Sequence, residues 1–321
     1  MDHMLNFPLN WTVLPTSEFP LWDDWVNSRE MGSWFHTLRA FNLVHQSQPE
    51  ILILKDLSGK WIAGFPFVRA KKFGMVYPKR NALLYFSSPI IHEDFLSDFD
   101  TIIDSLNRNF SFAVYDFPYQ KKSYRSFAKS GTEQFGFWLD IERDDETQIE
   151  KMSSSHQKTV KRKLLGLLEV KPTREINIQD LELAHLSYRD HQKKSPFDLE
   201  VMNHVFKNLQ PSESVVIQYS SEGETLGWRC YVKDKKGFWI DWLAGTKRGV
   251  TKERFGQQLI FRAVQEARLE NASGINLTGA NTPGIAEFKE KFGSVKTYGL
   301  HIRYVKNTFI KWMVRFREFF I

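Results

Sequence analysis

Two stretches of the chain carry the same succession of apolar and polar positions. Residues 51–68 read ILILKDLSGKWIAGFPFV and residues 215–232 read VVIQYSSEGETLGWRCYV. They align without gaps at an offset of 164, so that Ile51 meets Val215, Ile53 meets Ile217, Gly59 meets Gly223, Ile62 meets Leu226, Phe67 meets Tyr231 and Val68 meets Val232. Each block is two runs of β-branched and aromatic residues around a glycine-bearing turn, the pattern of a β-hairpin. The offset is close to half of the 321 residues, as two tandem copies of one fold would give.

The remaining periodicity fills in both copies. In the first half it predicts a helix over Phe19–Arg29, then the hairpin, a strand over 82–91, a helix over Glu93–Asn109, a strand over Ser111–Phe117, a helix near 119–130 and a strand over Gln134–Ile141. In the second it predicts helices over 178–194 and 198–209, the hairpin at 214–233, a strand over Phe238–Ala244 and a helix over Lys252–Glu270. A strand over Ile275–Thr278, a short helix around Ile285–Lys291 and a strand over Lys296–Tyr304 follow. This order is α/β with a mixed, mostly antiparallel sheet in each half. Between the halves, residues 142–168 carry acidic side chains early and basic ones late, which complements a helix dipole and predicts one connecting helix packed across both domains. The expected organisation is therefore a domain over 1–141, a connecting helix over 142–168, a second domain over 169–305 and a terminal helix over 306–321.

Composition narrows the class. The one cysteine, Cys230, excludes an intramolecular disulfide and a thiolate zinc site. The nine histidines show no metal-ligand spacing, and neither H-E-x-x-H nor G-x-S-x-G occurs, so no metal is expected. The opening residues MDHMLNFPLN lack a basic stretch and apolar core, and no uncharged apolar run approaches the ~20 residues that span a bilayer. The expectation is a cytoplasmic protein, soluble or peripheral at the inner face of the cell membrane. The net charge of +6 is uneven: residues 1–140 hold 14 basic and 15 acidic side chains, residues 141–321 hold 30 and 23. Within the second half, residues 156–175 carry 6 basic against 2 acidic, and residues 301–321 carry 5 against 1.

Candidate chemistry sits in the second half. Gly279, Asn281, Pro283 and Gly284 form a turn cluster between a strand and a helix, and α/β folds place ligands at the C-terminal ends of their strands. Lys289, one turn into the following helix, can reach back to a phosphate or to the oxyanion of an acyl transfer. The bland alternative makes Phe288 and Phe292 an i, i+4 core pair and Lys289 a solvated neighbour. In the loop GTKRGVTKERFG (245–256), Thr251 is a good N-cap, Gly249 allows close backbone approach, and Lys247 and Arg248 add charge beside Val250, which suits an anion such as pyrophosphate. Asp241, among apolar neighbours in GFWIDWLAG, is a candidate general base, or else a structural hydrogen-bond acceptor. On a helix, His156, Lys158 and Arg162 fall near one side and suit a phosphate, diphosphate or uronate acceptor, or RNA.

The run NLTGANTPGIAEFKEKFGS (276–294), with its preceding loop and helix and the basic SSSHQKTVKRKLL upstream, resembles the FemAB-like branch of the GNAT acyltransferase superfamily. That branch includes aminoacyl transferases that extend peptidoglycan side peptides and acyltransferases associated with cellulose and exopolysaccharide synthesis. The resemblance implies two tandem GNAT-like domains, the second retaining the better-formed site. It implies an acyl-CoA donor, acetyl-CoA in the first instance, bound at Lys247, Arg248, Gly249, Val250 and Thr251. It also implies catalytic Asp241 and Lys289, and an acceptor met by His156, Lys158, Arg162, Thr278, Gly279, Asn281 and Phe288. The loop departs from the family pattern Arg/Gln-x-x-Gly-x-Gly/Ala: one Gly249 follows Arg248, and the second glycine is missing. No heptad run matches the long coiled-coil arm of some peptidoglycan members.

The expected function is transfer of an acyl group to an envelope polysaccharide or its anionic or lipid-linked precursor. Two alternatives stand beside it. One is an aminoacyl-tRNA-dependent transferase acting on a peptidoglycan precursor, the only reading in which tRNA is a partner. The other is a non-catalytic GNAT-like module at a membrane surface. For the membrane, NTFIKWMVRFREFFI (307–321), if helical, puts Phe309, Trp312, Met313, Phe316 and Phe320 on one face and Lys311, Arg315 and Glu318 on the other. The same helix could equally dock on the protein core.

Overall fold

The structure is a computed structural model that describes residues 8–164, 170–173, 176–192, 197–247, 255–280 and 282–306. In chain order its main elements are β1 (Trp11–Val13), α1 (Phe19–Ser28), α2 (Leu38–His45), β2 (Glu50–Lys55), β3 (Trp61–Phe67), β4 (Arg69–Lys72), β5 (Met75–Pro78), β6 (Ile90–Ile91), α3 (Phe99–Asn107) and β7 (Phe112–Asp116). Then come β8 (Thr132–Asp140), α4 (Asp145–Glu150), α5 (Ser154–Leu164), β9 (Val170–Thr173), α6 (Ile178–Gln192), α7 (Leu199–Asn208), β10 (Ser214–Ser221), β11 (Glu224–Asp234) and β12 (Phe238–Thr246). The last are α8 (Phe255–Leu269), β13 (Gly274–Gly279), α9 (Pro283–Glu290) and β14 (Val295–Val305). The fold class is the mixed α/β expected.

The chain forms two compact units, one comprising the chain up to Gln134 and again from Tyr298, the other Phe135–Thr297. In the first unit, β1, β2, β3 and β6 form an antiparallel sheet in that order, β4 and β5 form a separate hairpin, and β7 pairs antiparallel with β14 from Tyr115–Ile302 to Phe112–Val305. Its core gathers Trp22, Val26, Phe65, Phe67, Phe99, Ile102, Phe110 and Tyr115, all buried. The buried indole of Trp22 donates to the carbonyl of His36 at 2.8 Å, which satisfies its one polar group. In the second unit the strand order is β8–β13–β12–β11–β10–β9, antiparallel throughout except for β12 and β13. The core around Tyr231, Trp239, Phe255, Leu259, Val264, Ile275 and Phe292 is separate from that of the first unit.

The repeated hairpins are both present, as β2–β3 and β10–β11, and their aligned turn glycines, Gly59 and Gly223, both take positive φ, 86° and 81°. Each hairpin also has a register shift near its turn, at Leu54/Lys55 and at Tyr219/Ser220.

Four expectations change. The segment 142–168 holds two helices, α4 and α5, rather than one. Asp144 caps α4 by accepting from the Thr147 amide at 2.8 Å, but at Ser153 the amide turns away to the carbonyl of Lys291 at 2.9 Å and a new helix starts. Gly293 (φ 79°) lies against this break, where a Cβ would come within 2.5 Å of the Lys151 carbonyl oxygen. Both helices belong to the second unit, where Arg268 on α8 reaches the Glu142 carbonyl and the Asp145 carboxylate, each at 2.6 Å. Secondly, the final strand pairs with β7 of the first half, and the unit boundary falls inside β14. Thirdly, 119–130 contains only a single 3-10 turn, Tyr124–Ser126, in which the buried Tyr124 hydroxyl donates to the Pro118 carbonyl at 2.9 Å. Of the strand expected over 82–91 only β6 forms. The terminal helix expected over 306–321 lies, from 307 on, outside the described residues.

Candidate functional site

The site grows from a parting of two parallel strands. β12 and β13 pair only at Trp239–Ile275 and Ile240–Asn276. Beyond Ile240, β12 runs on to Thr246 paired with β11, from Cys230–Leu243 to Gly227–Thr246. β13 meanwhile ends on β8, at Gly279–Gly136. One edge of β12 is therefore released from sheet pairing on the side of β13. A free strand edge presents N–H and C=O groups that pair with an extended ligand.

The end of β13 is bent to make this opening. Thr278 holds φ 59°, unusual for a β-branched residue. Its amide takes the side-chain oxygen of Asn276 at 2.9 Å and its hydroxyl donates to the Asp241 carbonyl at 3.3 Å. Lys289 fixes the bend. Its buried Nζ donates to the carbonyl of Leu277, to that of Gly279 at 2.7 Å and more loosely to that of Thr278 at 3.5 Å. The lysine is delivered there by α9, which starts at Pro283 behind an N-cap from Thr282, whose hydroxyl accepts from the Ile285 amide. Lys289 thus lies at the turn the sequence singled out, holding backbone carbonyls rather than standing open to an oxyanion.

Asp241 is buried at the root of the opening, and both of its carboxylate oxygens are taken by the Arg229 guanidinium, at 3.2 and 2.8 Å. The side chains are 5% and 16% exposed, so the pair is largely out of water. The carboxylate is thus engaged on both oxygens by its ion pair. Burial pushes the Lys289 ammonium down to about 8, with Asp241 acting against that shift and Arg229 adding to it. Burial and the Asp241 charge push up the Cys230 thiol and the Tyr231 phenol, which are therefore neutral. Arg229 is the partner of Asp241 that sequence reasoning missed. Its signal is the repeat itself: at the offset of 164 it stands where Phe65 fills the core of the first hairpin.

Asp241, Lys289, Thr278 and Gly279 are thus brought together. The basic cluster is not. His156 is buried, its ring edge-on to Phe292 with centroids 4.7 Å apart and tilted against Phe288 at 5.5 Å, whereas Lys158 is exposed. His156 and Phe288 are core packing. The helical spacing that seemed to align His156 with Lys158 is only two residues, which places them on different sides of α5. Arg162 belongs to α5, but its side chain is outside the described residues, as are Asn281 and the loop residues Arg248, Gly249, Val250 and Thr251. Lys247 is described: its amide donates to the Leu226 carbonyl at 2.9 Å and its ammonium pairs with Glu224. Where α8 begins, Phe255 stacks on Tyr219 (centroids 5.3 Å, planes 5° apart), and Gly227 leaves room for it, since a Cβ there would lie 2.3 Å from the ring. No group of His, Cys, Asp and Glu among the described residues could hold a metal ion.

No family model and no curated protein matches this sequence. Solved structures do match. FemX is similar with a TM-score of 0.63 at 8% identity, over 95% of this chain and 100% of its own. The N-myristoyltransferase of Saccharomyces cerevisiae with bound myristoyl-CoA is similar with a TM-score of 0.55 at 12% identity, over 95% of this chain and 85% of its own. A tandem GNAT protein from the clavulanic acid biosynthesis pathway is similar with a TM-score of 0.51 at 8% identity, over 92% of this chain and 98% of its own. At these identities the likeness is one of fold. The chain has the tandem GNAT fold, and the resemblance drawn from residues 276–294 holds at that level.

Proposed function

We propose that this protein is a GNAT-type acyltransferase that moves an acyl group from an acyl thioester, acetyl-CoA in the first instance, to an amine or hydroxyl of an envelope polysaccharide or its precursor. The observation that carries the reading is the parting of β12 and β13 with a buried Arg229–Asp241–Lys289 charge cluster at its root. The free edge of β12 suits the amide-bearing arm of an acyl-CoA, which pairs as a short strand would. Lys247 stands at the mouth, next in chain to the loop that would hold the anionic end. The S. cerevisiae enzyme of like fold has myristoyl-CoA bound, which supports a thioester donor.

In the transfer, the acceptor oxygen or nitrogen bonds to the acyl carbon, the carbon–sulfur bond breaks, and the thiol leaves. With both Asp241 oxygens held by Arg229, the acceptor's proton leaves to water, and Asp241 keeps the local field constant. Lys289 is a positioning residue that holds the carbonyls of Leu277 and Gly279 clear of the opening. The exposed Lys158 and Lys161 on α5 suit an anionic acceptor.

Calorimetry with acetyl-CoA and longer acyl-CoAs tests the donor, and thiol release on adding glycan acceptors tests the reaction. Saturable binding with acceptor-dependent release is expected; absence of binding by every acyl-CoA overturns the reading. The second glycine of the family pattern, missing after Gly249, favours one rival, an aminoacyl-tRNA donor. Transfer from charged tRNA to a muropeptide precursor, seen by mass spectrometry, would establish it.

A further inference from the structure

The hairpin β4–β5 does nothing for either candidate chemistry, yet it is the most distinctive surface of the first unit. Residues 69–80 read RAKKFGMVYPKR, five basic side chains and no acidic one, whereas the rest of residues 1–140 carries nine basic and fifteen acidic. Its register pairs Arg69 with Pro78 and Lys72 with Met75, which leaves Phe73 and Gly74 as a two-residue turn with φ 50° and 73°. Such turns favour Asn, Asp or Gly at the first position, and a bulky residue there is strained. The second unit has the same turn at Glu222–Gly223 (φ 53° and 81°), with a charged residue where this one has phenylalanine. The fold thus holds a phenylalanine in an unfavoured conformation and leaves it 83% exposed.

The base of the hairpin is anchored. Val76 and Ser111 exchange two hydrogen bonds, Ser111 N–H to the Val76 carbonyl at 2.8 Å and Val76 N–H to the Ser111 hydroxyl at 3.3 Å. The Tyr77 ring meets Phe112 edge-on at 6.5 Å, and the Lys79 amide donates to the Val68 carbonyl at 2.7 Å. Arg69 is tied to Glu50 by two bonds of 2.7 Å and Arg80 to Asp116, but Lys71, Lys72 and Lys79 are exposed and form no ion pair among the described residues. Lys72 Nζ lies 5.5 Å from the centre of the Phe73 ring. A held hairpin therefore carries one projecting aromatic ring at its tip, with Lys71 and Lys72 next to it in chain and Lys79 at its base.

We propose that the β4–β5 hairpin docks on an anionic lipid bilayer, with Phe73 entering the interface, Lys71 and Lys72 meeting the headgroup phosphates and carboxylates, and Lys79 adding charge at the base. A single apical ring suits insertion between headgroups, whereas strand binding to nucleic acid uses a series of stacking rings along a groove. The assignment involves residues outside 307–321 and stands whether or not the protein transfers acyl groups.

The test uses the full chain. The only cysteine, Cys230, is completely buried, so Phe73→Cys accepts an environment-sensitive fluorophore at one place, and Leu57→Cys, at another hairpin turn and 87% exposed, serves as control. With vesicles of equal parts phosphatidylserine and phosphatidylcholine, the label at 73 shifts to the blue and the label at 57 does not; neither shifts with phosphatidylcholine alone, and added salt reverses the shift. In co-sedimentation, Phe73→Ser lowers partitioning by roughly tenfold, and Lys71→Glu with Lys72→Glu by at least as much. Sedimentation with an unshifted label at 73 would assign membrane contact to another surface and overturn the proposal. So would no sedimentation at all, or a label response to single-stranded oligonucleotides but not to vesicles.

Discussion

Replacing Lys289 with methionine separates a buried lysine that braces the backbone from one that is merely enclosed. In the folded protein burial holds this ammonium at about 8, against an ordinary 10.5. Between those two values the unfolded chain binds the proton and the folded one releases it, so stability rises with pH across the window. Below pH 8 the full penalty of the buried charge is present; above pH 10.5 it is gone. Worked from that shift, the wild type gains about 2.5 kcal/mol between pH 7 and pH 10 from this group alone. Lys289→Met has no such gain. It also leaves the carbonyls of Leu277 and Gly279 without a donor, at about 1–3 kcal/mol each. At pH 7 the relief of charge burial offsets much of that loss, and the two proteins should lie within about 1 kcal/mol of one another. By pH 10 the variant should be less stable by about 3 kcal/mol. Urea titrations of both proteins at matched pH values read this gap directly, and the difference cancels the titration of every other group. A gap that stays constant with pH would refute the depressed lysine. A gap that narrows would mean that Asp241 dominates and holds the lysine charged.

Three further outcomes follow from the same geometry. Asp241→Asn strands the Arg229 guanidinium in a largely buried place and should destabilise by about 3 kcal/mol, read in denaturant melts; doubling it with Arg229→Met should restore much of the loss. Gly227→Ala forces a Cβ against the Phe255 ring, so a loss of about 2 kcal/mol and weaker acyl-CoA binding in calorimetry are expected. Lys247→Glu, at a half-buried residue whose ammonium pairs only at the surface with Glu224, should change the melting temperature little while lowering acyl-CoA affinity by roughly tenfold at low salt, the difference shrinking as salt is added.

What the sequence disclosed depended on how local the signal was. Gly59 and Gly223 mark their turns because the left-handed conformation selects glycine at one residue, and so the tandem hairpins were legible. Asp241 was legible as a buried carboxylate because its strand neighbours are apolar, but its partner was not, since Arg229 meets it across two strands. Lys289 was legible as a residue of the turn, but its capture of carbonyls was not: that depends on the bend at Thr278, a conformation that threonine does not advertise. β1 and β9 are short strands whose existence rests on the partners they find in β2 and β10. His156 misled because a basic run on a helix says nothing of which turn faces the core.

The return of β14 to the first unit makes the second unit an insertion within the first. During synthesis β7 emerges well before its partner strand: Asp116 meets His301 across 185 residues, at 2.7 Å. The second unit has its whole sequence in hand before that and can close first. The first unit waits for β14, and until then the edge of β7 stands open to any other strand. Cutting the gene at the midpoint that the repeat suggests would leave that edge permanently bare, so the two halves of this sequence are not the two folding units of this protein.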